Sequence, residues 1–296
     1  MKQHLCFTIF TFSIPFILMS QGRFDKVEIT ITQLSDQTYM LEGAGGNIGV
    51  SVGENGIFVI DDQFAPLSDK ILNAIKTLSD KPLKFLVNTH FHGDHSGGNE
   101  NMTKAGATII AHDNVKKRLE VQQRDGSYKP KEALPVITFN DQLNISINNE
   151  SVAVFHVANA HTDGDSILYF TNSNVLHTGD TYFNGRYPYI DLNSGGSVNG
   201  YIEAVRRGLM VINENTRIIP GHGKVSNQAE YKGFLSMLEQ IRDNVQMAID
   251  QGKTEQDVKT DDNITKIYDE LGYGDGFINS ERMRTTFYKS LTNSKS

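Results

Sequence analysis

Thr89-His90-Phe91-His92-Gly93-Asp94-His95-Ser96-Gly97-Gly98-Asn99 places three imidazoles and one carboxylate within the six positions from His90 to His95. Zinc and other borderline metals favour this mixture of nitrogen and carboxylate oxygen donors. The spacing matters as much as the residue types. At a strand end, His90 and His92 point the same way because side chains alternate with period two. Asp94 and His95 are adjacent, and a chain turning at Gly93 aims them at a second point close by. One short loop can then serve two metal ions, which is the requirement of a two-metal hydrolase.

Working outward, Leu83–Asn88 is an apolar run that reads as a buried strand, so the loop sits at a strand's C-terminal end, the expected place for a site in an open sheet. Upstream, Val27–Thr32, Thr38–Glu42, Asn47–Val52 and Gly56–Asp61 read as strands, punctuated by Gly43, Gly45, Gly46 and Gly53. Ile71, Leu72, Ile75 and Leu78 share one face of a helix over Ser68–Leu78, stopped before Pro82. Downstream, Thr108–Ala111 reads as a strand and Asn114–Gln123 as a helix. The polar stretch Arg124–Pro135 is a candidate internal boundary or flap. A second series of strands follows at Leu143–Ile147, Val152–Val157, Ser166–Phe170 and Val175–Thr178. Next come a helix near Asn199–Ile212 and a strand at Arg217–Pro220. Tyr231, Phe234, Leu235, Leu238, Ile241, Val245 and Ala248 form the stripe of a long helix over Asn227–Gln251, ended by Gly252. The tail to Lys289 reads as two short helices around Gly272–Gly276. Strands precede helices in each half, about 23–150 and 151–296, so residues 23–296 read as one α+β domain of two halves packed sheet to sheet.

The 296 residues are ample for a buried core, and 21% charged with 38% hydrophobic residues suits a globular chain rather than a disordered one. A net charge of −7, with no Lys/Arg cluster, leaves no electrostatic footprint for nucleic acid. The first residues differ in kind. Lys2 precedes a mostly apolar run, Leu5 to Met19, and Ser20-Gln21-Gly22 offers small residues for cleavage. Residues 1–22 therefore read as a signal peptide of a periplasmic or secreted protein. The run is short for a span and contains Pro15, so no stable membrane insertion is expected after cleavage. Cys6, the only cysteine, lies inside it, which leaves the expected mature chain without a thiol.

Three further positions stand out. His161 lies in Ala160-His161-Thr162-Asp163-Gly164-Asp165-Ser166, Asp180 in His177-Thr178-Gly179-Asp180-Thr181, and His222 in Pro220-Gly221-His222-Gly223. All occupy glycine-flanked turns at strand ends, where backbone can approach a ligand closely. A lone loop histidine is more often hydrogen-bonded than ligating; together with the opening motif these three read as one site. In this order the motifs resemble the metallo-β-lactamase superfamily of zinc hydrolases, over roughly Val27 to Val225. The resemblance implies an αββα sandwich: two mixed β-sheets face to face, helices outside, and a dinuclear site at one edge between the sheets. It also implies His90, His92 and His161 on one zinc, Asp94, His95 and His222 on the other, and Asp180 bridging. Asp61 matches the family's first motif, an acid behind the ligands. Two divalent cations about 3.5–4 Å apart share a water, bring its pKa toward about 7 and polarise a carbonyl. Asp94 is then the catalytic carboxylate, orienting the hydroxide and carrying a proton to the leaving group.

Asp180 separates branches of the family. One β-lactamase subclass carries a cysteine there, and this chain departs from it. His95 resembles the all-histidine β-lactamase subclass, whereas a bridging Asp is more typical of thioesterase, lactonase and phosphodiesterase members. The expectation is an exported dinuclear zinc hydrolase that cleaves an amide, lactam, ester or thioester of a small molecule. Its branches are β-lactamase proper and lactonase or thioesterase. The same ligands also suit an iron-dependent redox enzyme or a non-catalytic metal binder, and the oligomeric state stays open. The loop Tyr182–Tyr189 should border the pocket, with Tyr182, Arg186 and Tyr187 as candidate substrate contacts. Asn47 and Lys224 are further candidates. His112, His156 and His177 read as structural.

Overall fold

The computed structural model describes residues 22–293 apart from residue 124. The expected leader, including Cys6, lies outside the described residues up to Gln21.

Twelve strands form two sheets. The first, in spatial order, comprises β1 (Thr30–Gln33), β2 (Thr38–Glu42), β3 (Ile48–Gly53), β4 (Gly56–Ile60), β5 (Leu83–Val87), β6 (Thr108–His112) and β7 (Ile137–Phe139). Its first four strands are antiparallel and its last four parallel, sharing β4. The second sheet comprises β8 (Gln142–Ile147), β9 (Glu150–His156), β10 (Ser166–Phe170), β11 (Val175–His177) and β12 (Arg217–Ile219), in the order β12-β11-β10-β9-β8. Only its β11–β12 pair is parallel.

The pleat decides which core each side chain joins, because alternate residues leave opposite faces of a strand. In β4, Phe58 and Ile60 face the second sheet while Ile57 and Val59 face helices. In β10, Leu168 and Phe170 take the inner face and Ile167 the outer. Phe58 meets Phe170 edge-on across the gap, centroids 5.8 Å apart at 84°. Helix Ser68–Leu78 covers the first sheet with Ile71 and Ile75. Helices Val198–Val211, Gln228–Asp250 and Ser280–Asn293 cover the second. The result is the expected αββα sandwich.

Three local readings need correction. β7 was not anticipated: Ile137 is 42% exposed and only Phe139 turns inward, so this edge strand carries little apolar alternation. The stretch before it is pinned rather than loose at Ala133, whose carbonyl accepts from Asn99 Nδ2 at 2.9 Å. The tail holds three helices, Glu255–Thr260, Lys266–Asp269 and the fourteen-residue Ser280–Asn293. Met283, Phe287 and Leu291 make the buried stripe of the last, hidden in sequence among Arg, Ser, Thr and Lys. No helix of the described residues is long and apolar enough to cross a membrane.

Truncating Phe58 leaves a hole between the sheets. Phe58→Ala is expected to cost about 3–5 kcal/mol in urea unfolding of metal-free protein, against under about 0.5 kcal/mol for the exposed Met247→Ala.

Candidate metal centre

Five chain crossings meet at one edge of the sandwich. β4 delivers Asp61, β5 the loop from Thr89, the β9–β10 turn His161, β11 Asp180 and β12 His222. Asp61 sits in the left-handed region at φ 61°, a conformation uncommon outside glycine that surrounding structure must hold. Its N–H donates to Val87 C=O at 2.9 Å. Its carboxylate accepts from Thr89 N–H (2.8 Å) and Thr89 Oγ1 (2.7 Å), and pairs with His95 Nδ1 (2.7 Å). The turn expected at Gly93 is one turn of helix, Gly93–Ser96, with the N–H groups of His95 and Ser96 donating to His92 C=O. That turn places Asp94 and His95 in a different ligand group from His90 and His92, although the His95 ring stays 4.2 Å from the His90 ring.

All seven predicted ligands converge, in two groups: His90, His92, His161 and Asp180, and Asp94, His95 and His222. Within each group the donor atoms lie within 4.8 Å of one another. Asp180 faces both groups with different atoms. Its Oδ2 is 3.8 Å from His90 Nε2 and 3.5 Å from His161 Nε2. Its Oδ1 is 3.0 Å from His95 Nε2 and 3.4 Å from His222 Nε2. Asp94 Oδ2 closes the second group at 3.4 Å from His222 Nε2. His92 turns Nδ1 inward, 2.9 Å from His161 Nε2.

The outward nitrogens are held by the protein, which orients each ring. His161 Nδ1 meets Tyr189 C=O at 2.8 Å, and His92 Nε2 meets Asp191 Oδ2 at 3.2 Å. Asp191 was missed in the sequence because it lies two residues past the loop singled out there. Asn47 Nδ2 donates to Pro220 C=O (2.9 Å) and Gly223 C=O (2.7 Å), tying the glycine-rich hairpin to the His222 turn. Space is equally strict. A Cβ on Gly46 would overlap the His95 ring, and one on Gly221 would overlap Asp180 Oδ1.

Burial is the largest influence on Asp180, His95, His222, His90 and His161. It opposes the Asp180 carboxylate, yet His95 and His222 hold that group well below the usual range. It also opposes the His95 imidazolium, but Asp180 and Asp61 push that group well above the ordinary histidine value. His222, against the same opposition, is raised to about 9 by Asp180 and Asp94. Burial lowers His90 and His161. These residues fit a metal site on a further count. The buried atoms His90 Nε2, His95 Nε2 and Asp180 Oδ1 have no hydrogen-bond partner, an expense that coordination would remove.

A cavity of about 490 Å³ opens onto the cluster, lined among others by Asp94, Asp180, His222, Phe183, Arg186 and Tyr189. An adjoining one of about 460 Å³ is lined by Asn47, Lys224 and again Arg186 and His222. Of the candidate substrate contacts, Arg186 is exposed at both. Tyr182 is in neither wall: it is 1% exposed and hydrogen-bonded to Ser226 Oγ at 2.7 Å, so packing takes it into the core. Tyr187 borders the larger cavity but is 1% exposed, its hydroxyl donating to Asp269 Oδ1 at 2.6 Å. His177 is buried and uncharged, lowered to about 4 by burial, with both ring nitrogens bonded to backbone at Asn47 and Gly179. His112 and His156 stack at 3.8 Å away from the cluster.

The family description "Metallo-beta-lactamase superfamily" matches residues 44–222. A hydroxyacylglutathione hydrolase of Pelagibacter ubique is 31% identical over 164 residues, 53% of this chain and 59% of that protein. The 2,4-dinitroanisole O-demethylase subunit alpha of a Nocardioides species is 26% identical over 137 residues, 45% of this chain and 40% of that protein. The chain thus spans about half the length of the curated relatives it matches. Among solved structures, a metallo-β-lactamase from Pontibacter korlensis superposes with a TM-score of 0.61 at 18% identity, covering 72% of this chain and 99% of that one. The DIM-1 metallo-β-lactamase gives 0.60 at 17%, with coverage of 72% and 99%.

Two outcomes follow from the outward partners and the charges. Asp191→Ala is expected to weaken metal binding by about 10–100-fold in chelator competition, through the freed His92 ring. In metal-free protein, the stability His222 contributes is complete below the unfolded value near 6.5 and lost as pH rises through about 9. His95 acts in the same direction. Asp180 contributes above 3.8, and that contribution is lost as pH falls below it. Melting temperatures in chelator should therefore fall between pH 7 and pH 9.5.

Proposed function

The chain belongs to the metallo-β-lactamase superfamily, and from that membership we propose that it is an exported dinuclear zinc hydrolase cleaving an acyl thioester or ester of a small molecule. The observation that carries the reading is the split of Asp180, one oxygen toward His90 and His161 and the other toward His95 and His222. His90, His92 and His161 would hold one zinc, Asp94, His95 and His222 the other, with Asp180 shared. Two such ions supply Lewis-acid polarisation of a carbonyl and bring water toward neutral-pH ionisation. Export is supported only by the pattern of Lys2, Leu5–Met19 and Ser20-Gln21-Gly22.

The chain's own chemistry centres on Asp94. Burial opposes its charge, but His222 and His95 hold it below the usual carboxylate range, so it is ionised at neutral pH. It lines the cavity beside Asp180 and His222, placed to take a proton from the attacking water and return it to the leaving group. The acyl C–S or C–O bond breaks, the water oxygen stays on the acyl carbon, and the thiol or alcohol leaves with the proton. His90 and His95 are fully buried and Asp180 is 5% exposed where it lines the cavity, and such low exposure strengthens each electrostatic contact at the cluster. An aspartate at position 180 favours the thioester and ester branch, as do relatives named hydroxyacylglutathione hydrolase. β-Lactam hydrolysis is the second reading, favoured by the solved structures of metallo-β-lactamases that share the fold.

Zinc-loaded protein assayed on acyl-thioesters, lactones and a β-lactam panel distinguishes these. The expected result is thioester or ester turnover without β-lactam loss; the reverse preference would replace the first reading by the second. Asp94→Asn should lower kcat by about 10²–10⁴-fold, the usual worth of a positioned proton carrier. Wild-type rates in that variant would point to metal binding without catalysis by Asp94.

A further inference from the structure

The wall of the larger cavity includes residues that the family match does not reach. Arg23 precedes residues 44–222, and Phe277 and Ile278 follow them. Phe277 is 70% exposed and lines the cavity, so its ring is open to a molecule entering there. It is nonetheless fixed in place: edge-on to Tyr189 at 5.8 Å and 82°, with the Arg282 guanidinium 4.7 Å from its ring. Tyr189 in turn lies 6.0 Å from the His92 ring at 29°. A row of π-faces therefore runs outward from a metal ligand.

The segment bearing Phe277 is tied down beside the site. Tyr187 N–H donates to Tyr273 C=O at 3.0 Å, and Tyr187 Oη bonds Asp269, which also accepts from Ser280 Oγ. This gives the buried Tyr187 a role as an anchor. Next to the anchor in sequence, Arg186 is exposed and borders both cavities. Among the described residues no carboxylate forms an ion pair with Arg186 or Arg23. Arg23 instead lies over Phe24 and Phe64, at 5.3 and 5.7 Å.

We propose that this wall selects an anionic acyl substrate: its aromatic or branched apolar body lies along Phe277 and Tyr189, and its carboxylate meets Arg186, with Arg23 a second cation at the same cavity. Guanidinium groups recognise carboxylates through paired N–H donors, and a site offering them loses affinity for neutral analogues. The apolar wall adds preference in proportion to the area it covers. The substrate class rests on the hydrolase reading above, whereas the shape and charge of the wall do not.

The test separates the two. Zinc-loaded full chain is assayed on phenylacetyl and acetyl thioesters of 3-mercaptopropionate and on their methyl esters. Wild type should prefer the phenylacetyl carboxylate; Arg186→Gln should lower the carboxylate-over-methyl-ester ratio of kcat/KM by about ten-fold or more. Phe277→Ala should lower the phenylacetyl-over-acetyl ratio by about five-fold or more. In parallel, metal-free protein is titrated with 8-anilinonaphthalene-1-sulfonate, an aromatic anion needing no turnover. One saturable site is expected, weakened in both variants at unchanged melting temperature. Absence of all thioester cleavage with the dye result intact removes the thioester reading and supports the wall. Wild-type dye affinity together with wild-type ratios in both variants overturns the proposal.

Discussion

A carboxylate with no exposure to spare, Asp180, must find positive partners on two sides at once, and the rest of the site is arranged around that demand. An isolated buried carboxylate is costly, so it persists only where cations or protonated groups surround it. Here four imidazole nitrogens from three separate chain segments supply them, two facing each oxygen. Bringing them that near leaves no room for side chains on the backbone behind, hence glycine at positions 46 and 221. Behind them Asp61 adopts a left-handed backbone conformation, held by Val87, Thr89 and His95.

The sandwich makes such convergence possible. Strand ends from both sheets reach the same edge, and each is fixed by a core that the pleat divides cleanly between the inner face and the helical layers. The inner core is buried and aromatic where Phe58 meets Phe170, so the two sheets keep their relative position and the two halves of the ligand set keep theirs. Stability and function are coupled through this geometry: sheet packing places the ligands, and it buries them at a cost, chiefly desolvation, that lowers His90 and His161.

Much of this was legible in the sequence because it rests on local signals. Helix Ser68–Leu78 and strands Thr38–Glu42 and Ser166–Phe170 carry complete apolar patterns, and the ligand motifs sit in short turns whose spacing limits their geometry. What stayed hidden depends on tertiary neighbours. β7 is half exposed, and the stripe of Ser280–Asn293 is diluted by polar residues. Asp191 has no meaning until His92 lies beside it. Tyr182 and Tyr187 look alike in sequence, yet one packs against Ser226 and the other anchors at Asp269. Arg23 and Phe277 are far apart along the chain, and only folding places them in one wall.

The site has one centre: a carboxylate shared between two ligand groups, each complete enough to hold an ion. Metal content of the purified full chain, measured by inductively coupled plasma mass spectrometry beside Asp180→Ala, addresses that directly. Two zinc ions per wild-type chain, with both lost or weakened together in the variant, is the predicted result. A single ion per chain, two irons in place of zinc, or a variant that keeps both ions at wild-type affinity would contradict it.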